Sequence, residues 1–156
     1  MKVIDIRKMH AEQLINKLVD ASKIETKWWG KRTDNYWSYL DNNTERIDVE
    51  IDANVMADLF VYIFDTLKHK ELLSKYSTKI SANRNGFVML IVLEDADFLL
   101  NIFTDDSFLS NFYAFLKELN GEFFHYERTL IEETITSFTE VLNLTDNDFA
   151  LIINIG

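Results

Sequence analysis

Residues 86–119 read GFVMLIVLEDADFLLNIFTDDSFLSNFYAFLKEL, and this stretch decides the predicted fold. A glycine precedes an unbroken apolar run, residues 87–93, which is β-branched or aromatic at several positions. A short run that is apolar at every position is typical of a strand buried on both faces. The amphipathic segment 107–119 follows and offers an apolar helical face that can cover such a strand.

The rest of the chain predicts further helices and strands. Apolar residues recur at helical spacing over residues 9–22, 53–68 and 130–142, in addition to 107–119. We therefore predict an α+β fold for residues 1–156, a single domain in which about four amphipathic helices pack on a mixed, largely antiparallel sheet. Residues 81–86 read as a polar loop with a tight turn at Asn85-Gly86. Strand-like patterns cover residues 2–7, 24–29, 35–40, 46–51, 122–128 and 149–155, and those of 24–29, 35–40 and 46–51 suggest an antiparallel meander.

The composition predicts a folded chain without disulfides. Hydrophobic residues make up 47% of the 156 residues and aromatic residues 13%, which is enough for a sizeable core. The absence of cysteine excludes disulfides and cysteine-based zinc sites. The apolar character of residues 1–5 breaks too early for a signal peptide, and no apolar segment approaches the ~20 residues that span a bilayer. We therefore expect a cytoplasmic protein.

The net charge of −10 is unevenly distributed along the chain. Residues 81–156 carry three basic and thirteen acidic side chains, whereas the charges of residues 1–80 balance. A negative surface repels the phosphates of nucleic acids and membranes, so we expect direct binding to neither. The same surface attracts a basic protein and accelerates the encounter with it. A negative net charge also keeps a protein soluble, so solubility is an alternative explanation of the charge.

The sharpest candidate for a localised chemical site is a carboxylate cluster, Glu94, Asp95 and Asp97, which follows the predicted buried strand. Hard cations such as Mg²⁺ prefer carboxylate oxygens and often bring a phosphate with them. The cluster resembles the metal-binding turn of nucleotide-sugar glycosyltransferases, a resemblance that covers four residues. The chain has no glycine-rich phosphate loop to complete a nucleotide site. The alternative interpretation makes these residues the N-terminal acids of a helix, ahead of residues 98–100, where the helix dipole favours them.

Two further groups combine residue types that bind or react. Residues 28–32, WWGKR, mix aromatic rings with cations, a combination that stacks on bases and pairs with phosphates. The same rings can instead fill a core beneath a basic hairpin tip. His125 and Glu127 would share one face of a predicted strand, either as an acid–base pair or as a structural contact.

No catalytic set is convincing, so we expect a non-enzymatic binding or inhibitor protein that needs no cofactor. Its acidic C-terminal half would dock a basic protein, such as a nuclease toxin or a nucleic-acid-binding protein, by presenting charges in place of phosphates. Bacterial toxin-immunity proteins and phage anti-defence proteins are similar in character, an analogy that rests on composition alone. The alternative is a small metal-dependent enzyme that acts on a phosphate-bearing substrate through Glu94, Asp95 and Asp97. The predicted partner-binding residues are Glu118, Glu122, Glu127, Glu132, Glu133, Glu140, Asp146 and Asp148.

The helix predicted over residues 53–68 is apolar around most of its circumference. Such a helix either is deeply buried or lies at a contact between subunits. A homodimer formed through residues 53–68 is therefore a further hypothesis.

Overall fold

A four-stranded antiparallel sheet forms the centre of the fold. The structure is a computed structural model that describes residues 2–156, apart from the side chains of residues 13–15. The chain forms β1 (Ile4–His10), β2 (Glu25–Thr26), β3 (Arg32–Thr33), β4 (Glu45–Arg46), β5 (Phe87–Ile91) and β6 (Phe149–Ile155). The central sheet has the order β4-β1-β6-β5, and each of its pairings is antiparallel. The strands β2 and β3 pair only with each other, as a separate hairpin.

The strand β6 lies in the middle of the sheet and is buried on both faces. It pairs with seven residues of β1 on one side and with five residues of β5 on the other. Leu151, Ile153 and Ile155 pack in one apolar core, whereas Ala150 and Ile152 pack in a second one. Because successive side chains of a strand point to opposite faces, the sheet separates the two cores.

Helices cover both faces of this sheet. The described residues form seven α-helices, α1 (Ala11–Ala21), α2 (Tyr36–Asn43), α3 (Ala53–Val61), α4 (Lys75–Arg84), α5 (Leu93–Phe103), α6 (Phe108–Asn120) and α7 (Arg128–Leu142). Helices α1, α2 and α4 contribute to the core that contains Ile152, and the other four contribute to the core that contains Ile153. The predicted α+β fold is confirmed, with more helices than the four that the sequence indicated. Within residues 2–156, no helix combines the length and the apolar character that crossing a bilayer requires.

Two serines of α4 close the free edge of β5. The hydroxyl of Ser77 accepts the Leu90 N–H at 3.0 Å, and the hydroxyl of Ser81 accepts the Val88 N–H at 2.9 Å. The Ser81 hydroxyl also donates to the Val88 carbonyl at 3.0 Å. Unpaired backbone groups on an edge strand are a template for aggregation. These two side chains occupy backbone groups to which a further strand would bind.

Some segments predicted as strand or loop are helical. Residues 35–40, predicted as a strand, lie largely in α2, where Tyr36 and Leu40 are one helical turn apart and both are buried. Residues 81–86, predicted as a loop, begin with the last turn of α4, which ends at Asn85 with a φ of 51°. Because asparagine tolerates this left-handed conformation, the chain turns at the predicted position although the preceding residues are helical.

Two other predicted strands are largely irregular. In residues 46–51 only Arg46 belongs to a strand, and the apolar residues of the segment are half-buried against the core from an extended chain. Residues 122–128 contain part of a 3₁₀ turn, Gly121–Phe123, followed by a segment outside both sheets. The predicted meander is therefore wrong. Alternation and aromatic content report which side chains are buried, but they do not specify a hydrogen-bonding partner.

The apolar helix predicted over residues 53–68 changes its geometry in the middle. The helix α3 ends at Val61, and Tyr62–Thr66 form a π-helix in which the Leu67 N–H bonds to the Tyr62 carbonyl at 3.0 Å. The wide turn buries three successive side chains, those of residues 62–64. Burial within the chain thus accounts for much of the apolar arc, and a homodimer through residues 53–68 stays a prediction.

Removal of the Ser77 hydroxyl is expected to destabilise the fold. In Ser77→Ala the Leu90 N–H loses its acceptor at a buried position, which lowers the free energy of unfolding by about 1–3 kcal/mol. Thr78→Ala is the matched control, because the Thr78 hydroxyl is exposed and bonds to the Ser74 carbonyl at the start of the same helix. Urea denaturation measures both variants. Equal free energies of unfolding would contradict the role assigned to Ser77.

Candidate partner-binding surface

The eight acidic residues predicted to bind a partner are all exposed, but they do not form one patch. A helix of 15 residues such as α7 is about 22 Å long. Glu127 lies just before this helix, whereas Asp146 and Asp148 lie beyond its other end. The Asp148 carbonyl accepts the Ala11 N–H at 3.0 Å, which places that end beside the start of α1. The remaining five are distributed over α6 (Glu118), the 3₁₀ turn (Glu122) and α7 (Glu132, Glu133 and Glu140).

One group of these acids lies where α6 leads into α7. We call Glu118, Glu122, Glu127 and Glu133 the acidic corner. The side chain of Phe123 is 76% exposed at this corner. Aromatic side chains that fill a pocket in a partner supply much of the binding energy of protein interfaces, and surrounding polar groups exclude water from them. The acidic corner therefore combines charge with an exposed apolar anchor. Phe123 was predicted to lie in a strand, so this anchor was not expected from the sequence.

A groove at the acidic corner, lined by Glu127 and Glu133, adds an acid that was not among the predicted partner-binding residues. Asp52, at the start of α3, lines a cavity of about 550 Å³ together with Tyr126, Glu127 and Glu133. Its carboxylate caps α3 by accepting the Val55 N–H at 2.9 Å. Burial raises the pKa of Tyr126, and the negative charges of Asp58 and Asp52 raise it further. The groove is therefore negative because elements far apart in sequence bring their carboxylates to the same place.

The acids after residue 80 have fewer ion-pair partners than those before it. Glu132 pairs with Arg128 at 3.3 Å, and among the described side chains it is the only one of these thirteen acids with a cation within 4.0 Å. In residues 1–80, by contrast, seven of the thirteen acids form ion pairs, namely Asp5, Asp20, Glu25, Asp34, Asp41, Asp65 and Glu71. The negative charge of the C-terminal half is thus left to attract charges from outside the chain.

The two cations nearest to the acidic corner in sequence lie over aromatic rings. Lys117 Nζ lies 4.9 Å from the centre of the Tyr113 ring, and Arg128 Cζ lies 5.6 Å from the same ring. Cation–π contacts of this kind stabilise the position of the cation. Arg128 and Lys117 therefore both have an aromatic partner on α6.

The carboxylate cluster that suggested a metal site lies at the start of α5, with Glu94 and Asp95 in its first turn and Asp97 just after it. The Asp95 carboxylate accepts the Val92 N–H at 3.2 Å, and burial raises the pKa of Asp95. Glu94 and Asp97 are exposed. Among the residues that the structure describes, no group of three or more metal-binding side chains is arranged to hold an ion. The interpretation as helix N-terminal acids is confirmed for Glu94 and Asp95, and a metal site at Asp95 and Asp97 stays a prediction that these contacts do not favour.

The predicted pair of His125 and Glu127 is not formed as expected. The His125 Nδ1 lies 2.9 Å from the Phe123 carbonyl, and its ring lies 4.7 Å from that of Tyr126. Both His125 and Glu127 line the groove, but no hydrogen bond or ion pair joins them in the described part of the chain. The reason is that residues 124–127 are not a strand, so the alternation that would align the two side chains is absent.

The aromatic hairpin projects into solvent. Trp28 is 92% exposed and Trp29 is 59% exposed, and their rings meet edge to face at 5.4 Å. Lys31 and Arg32 are exposed beside them. The interpretation that these rings fill the core is wrong, because the short strands β2 and β3 lie outside the central sheet.

Comparisons of the chain with protein-family models, with curated proteins and with solved structures find no match. Function is therefore inferred from the geometry and the charge of these surfaces.

Neutralisation of Asp58 is expected to stabilise the fold at neutral pH. Burial raises the pKa of Asp58; Lys2 opposes this shift and Asp52 adds to it. The charged form is therefore less favourable in the folded chain than in the unfolded one, and Asp58→Asn removes that cost. The gain is complete above the folded-state pKa and disappears as the pH falls below it, since the Asp58 carboxyl group of the native chain is then protonated in both the folded and the unfolded state.

Urea denaturation at about pH 7 and about pH 3 measures this gain, because the two values bracket the titration of an aspartate. Glu140→Gln is the control, since Glu140 is exposed on α7 and has no ion-pair partner among the described residues. A gain for Asp58→Asn that persists unchanged at the acid pH would contradict the assignment to a buried charge.

Proposed function

We propose that the protein is a non-enzymatic binding protein that docks a basic protein partner on the acidic corner. The observation that carries this proposal is the combination of the 76% exposed Phe123 with carboxylates that have no ion-pair partners among the described residues. Exposed charge of one sign accelerates the encounter with a partner of the opposite sign. An apolar anchor then slows dissociation, since most differences in affinity arise in the dissociation rate.

The groove beside the corner suits a lysine or arginine side chain of the partner. Asp52, Glu127 and Glu133 supply carboxylate oxygens, and Tyr126 supplies an aromatic ring. A cation over an aromatic ring is stabilised by about 0.5–2 kcal/mol, more when water is excluded. A guanidinium group pairs with a carboxylate in two parallel hydrogen bonds, so the groove favours arginine over lysine.

The class of partner follows from this chemistry. Proteins that bind or cleave nucleic acids present grooves rich in lysine and arginine, which pair with phosphates. Carboxylates spaced along an inhibitor can occupy such a groove in place of the phosphates. We therefore propose inhibition of a nuclease toxin or of a nucleic-acid-binding protein as the role, as in immunity or anti-defence proteins.

Charge reversal at the acidic corner is expected to weaken this complex. The tagged chain captures its partner at low salt, and titration calorimetry with the purified partner then gives the affinity. Glu127→Lys combined with Glu133→Lys should reduce the affinity about tenfold or more, because attraction becomes repulsion at two sites in contact. Glu140→Lys, which changes the charge in the same way nearer the far end of α7, should have little effect. Binding that is insensitive both to the double variant and to salt would refute the proposal.

Truncation of Phe123 tests the anchor separately from the charge. Phe123→Ala should reduce the affinity about tenfold or more, whereas its effect on salt dependence should be small. Leu144→Ala is the matched control, because Leu144 is 41% exposed and follows the C-terminal end of α7. The unfolding curve should be unchanged for Phe123→Ala, since this side chain is largely exposed. Equal affinities for the two variants would remove Phe123 from the interface.

The exposed hairpin favours a second candidate function, the binding of single-stranded nucleic acid. Residues 27–32 carry three cations and no acid, opposite in sign to the whole chain, and the two tryptophans offer stacking surfaces. Stacking of one base on an aromatic ring contributes about 1–3 kcal/mol. An oligothymidine should therefore quench tryptophan fluorescence at low salt, and Trp28→Ala should weaken binding about tenfold while Trp37→Phe does not. Absence of quenching would rule this function out.

A further inference from the structure

We propose that a pocket between the π-helix and one end of the central sheet binds a small planar aromatic anion. The pocket has a volume of about 450 Å³, which lies within the ~300–1,000 Å³ that small-molecule sites occupy. It lies at the opposite end of α3 from the acidic groove, because it is lined by Ala57, Phe60 and Val61 rather than by Asp52. It is therefore distinct from the surface proposed to dock a basic protein.

Three phenylalanine rings form the wall of this pocket. The ring of Phe60 lies 5.8 Å from that of Phe64 and 5.1 Å from that of Phe87, and the rings of Phe64 and Phe87 are 6.2 Å apart. The planes of Phe60 and Phe64 differ by only 16°. Aromatic pairs prefer offset-stacked or edge-to-face contacts at centroid distances of ~4.5–7 Å. A flat ring in the pocket can make both kinds of contact with a cluster that is already ordered.

The charges at the pocket favour an anionic group on that ring. Lys2 and Lys70 line the pocket, and Asp65 is the one acid among its lining residues. Asp65 Oδ1 lies 3.6 Å from Lys70 Nζ, so this acid is already paired. Lys2 has no carboxylate within 4.0 Å among the described residues. The lining side chains thus carry two cations and one acid in a chain whose net charge is −10, and the charge of Lys2 also acts on Asp58 nearby. An anion in the pocket gains a charge-assisted contact with Lys2.

The backbone at this pocket is itself unusual. Phe64 and Asp65 both belong to the π-helix Tyr62–Thr66. A π-helical turn is rare, because its hydrogen bonds span a wider and less favourable ring, and such turns occur often at functional sites. Here the turn places the Phe64 ring against Phe60 and directs Asp65 towards Lys70. The phenylalanine walls, the two lysines at the rim and the π-helical backbone thus lie at the same pocket.

Two fluorescent dyes test the proposal on the full chain. The probe is anilinonaphthalene sulfonate, an aromatic anion with a planar naphthalene ring, and its neutral counterpart is phenylnaphthylamine. Each is titrated into the folded chain, with near-ultraviolet circular dichroism confirming native packing of each variant. Lys2→Glu should weaken binding of the sulfonate about fivefold, the effect of roughly 1 kcal/mol, and leave the neutral dye unchanged.

Two further variants separate the pocket from the remaining surface. Val61 is 42% exposed at the pocket, so Val61→Trp can fold normally while filling the opening, and it should abolish binding of both dyes. Lys79→Glu, the same charge change at an exposed position of α4, should alter neither affinity. Dye binding that survives Val61→Trp would overturn the site. Equal sulfonate affinity in Lys2→Glu would overturn the anionic class, and a dimer in sedimentation that excludes the dye would assign the pocket to a second copy of the chain instead.

Discussion

The pairing of β6 with β1 and β5 at the same time is the constraint on which the rest of the structure depends. Every residue from Ala150 to Ile155 is buried, so both neighbours and both faces of the strand must be supplied by other parts of the chain. A strand of this kind cannot be stable alone, because its backbone groups would lose water without gaining partners. The buried polar side chain of Asn154 also has a partner. Its oxygen accepts a hydrogen bond from the Tyr36 hydroxyl at 2.6 Å, and this bond joins α2 to the sheet.

The proposed partner surface depends on that core through α7. The helix buries Ile131, Phe138 and Leu142 in the core that contains Ile153, and it turns Glu132, Glu133 and Glu140 towards water. The same packing orients the acidic corner, because the chain that leads from α6 into α7 must remain outside the core. The charged face and the apolar face therefore belong to the same helix. A substitution on the exposed face can change binding with little effect on the free energy of unfolding.

Much of the fold could be predicted where a pattern was complete within one segment. The apolar run after Gly86 contains β5, the last strand pattern forms β6, and the helical spacing of α6 and α7 appears within a residue or two of its predicted bounds. The helices α2 and α4 were missed because their local signals are ambiguous or polar, and α5 was indicated only by the alternative interpretation of its N-terminal acids. Helix α4 is a clear case: its sequence is mostly polar, and it is held by hydroxyl groups that bond to the edge of β5.

The sequence by itself determined the segregation of charge, the existence of a buried strand and the amphipathic faces of the long helices, since these depend only on residue type and spacing. Tertiary structure alone decided which acids share a surface, that Asp52 joins Glu127 and Glu133, and that Trp28 is exposed while Tyr36 is buried. Periodicity specifies which face of an element is apolar, but it carries no information on which distant element covers that face. Which element covers a given apolar face depends on how all the apolar faces pack together, and this is visible only in the folded chain.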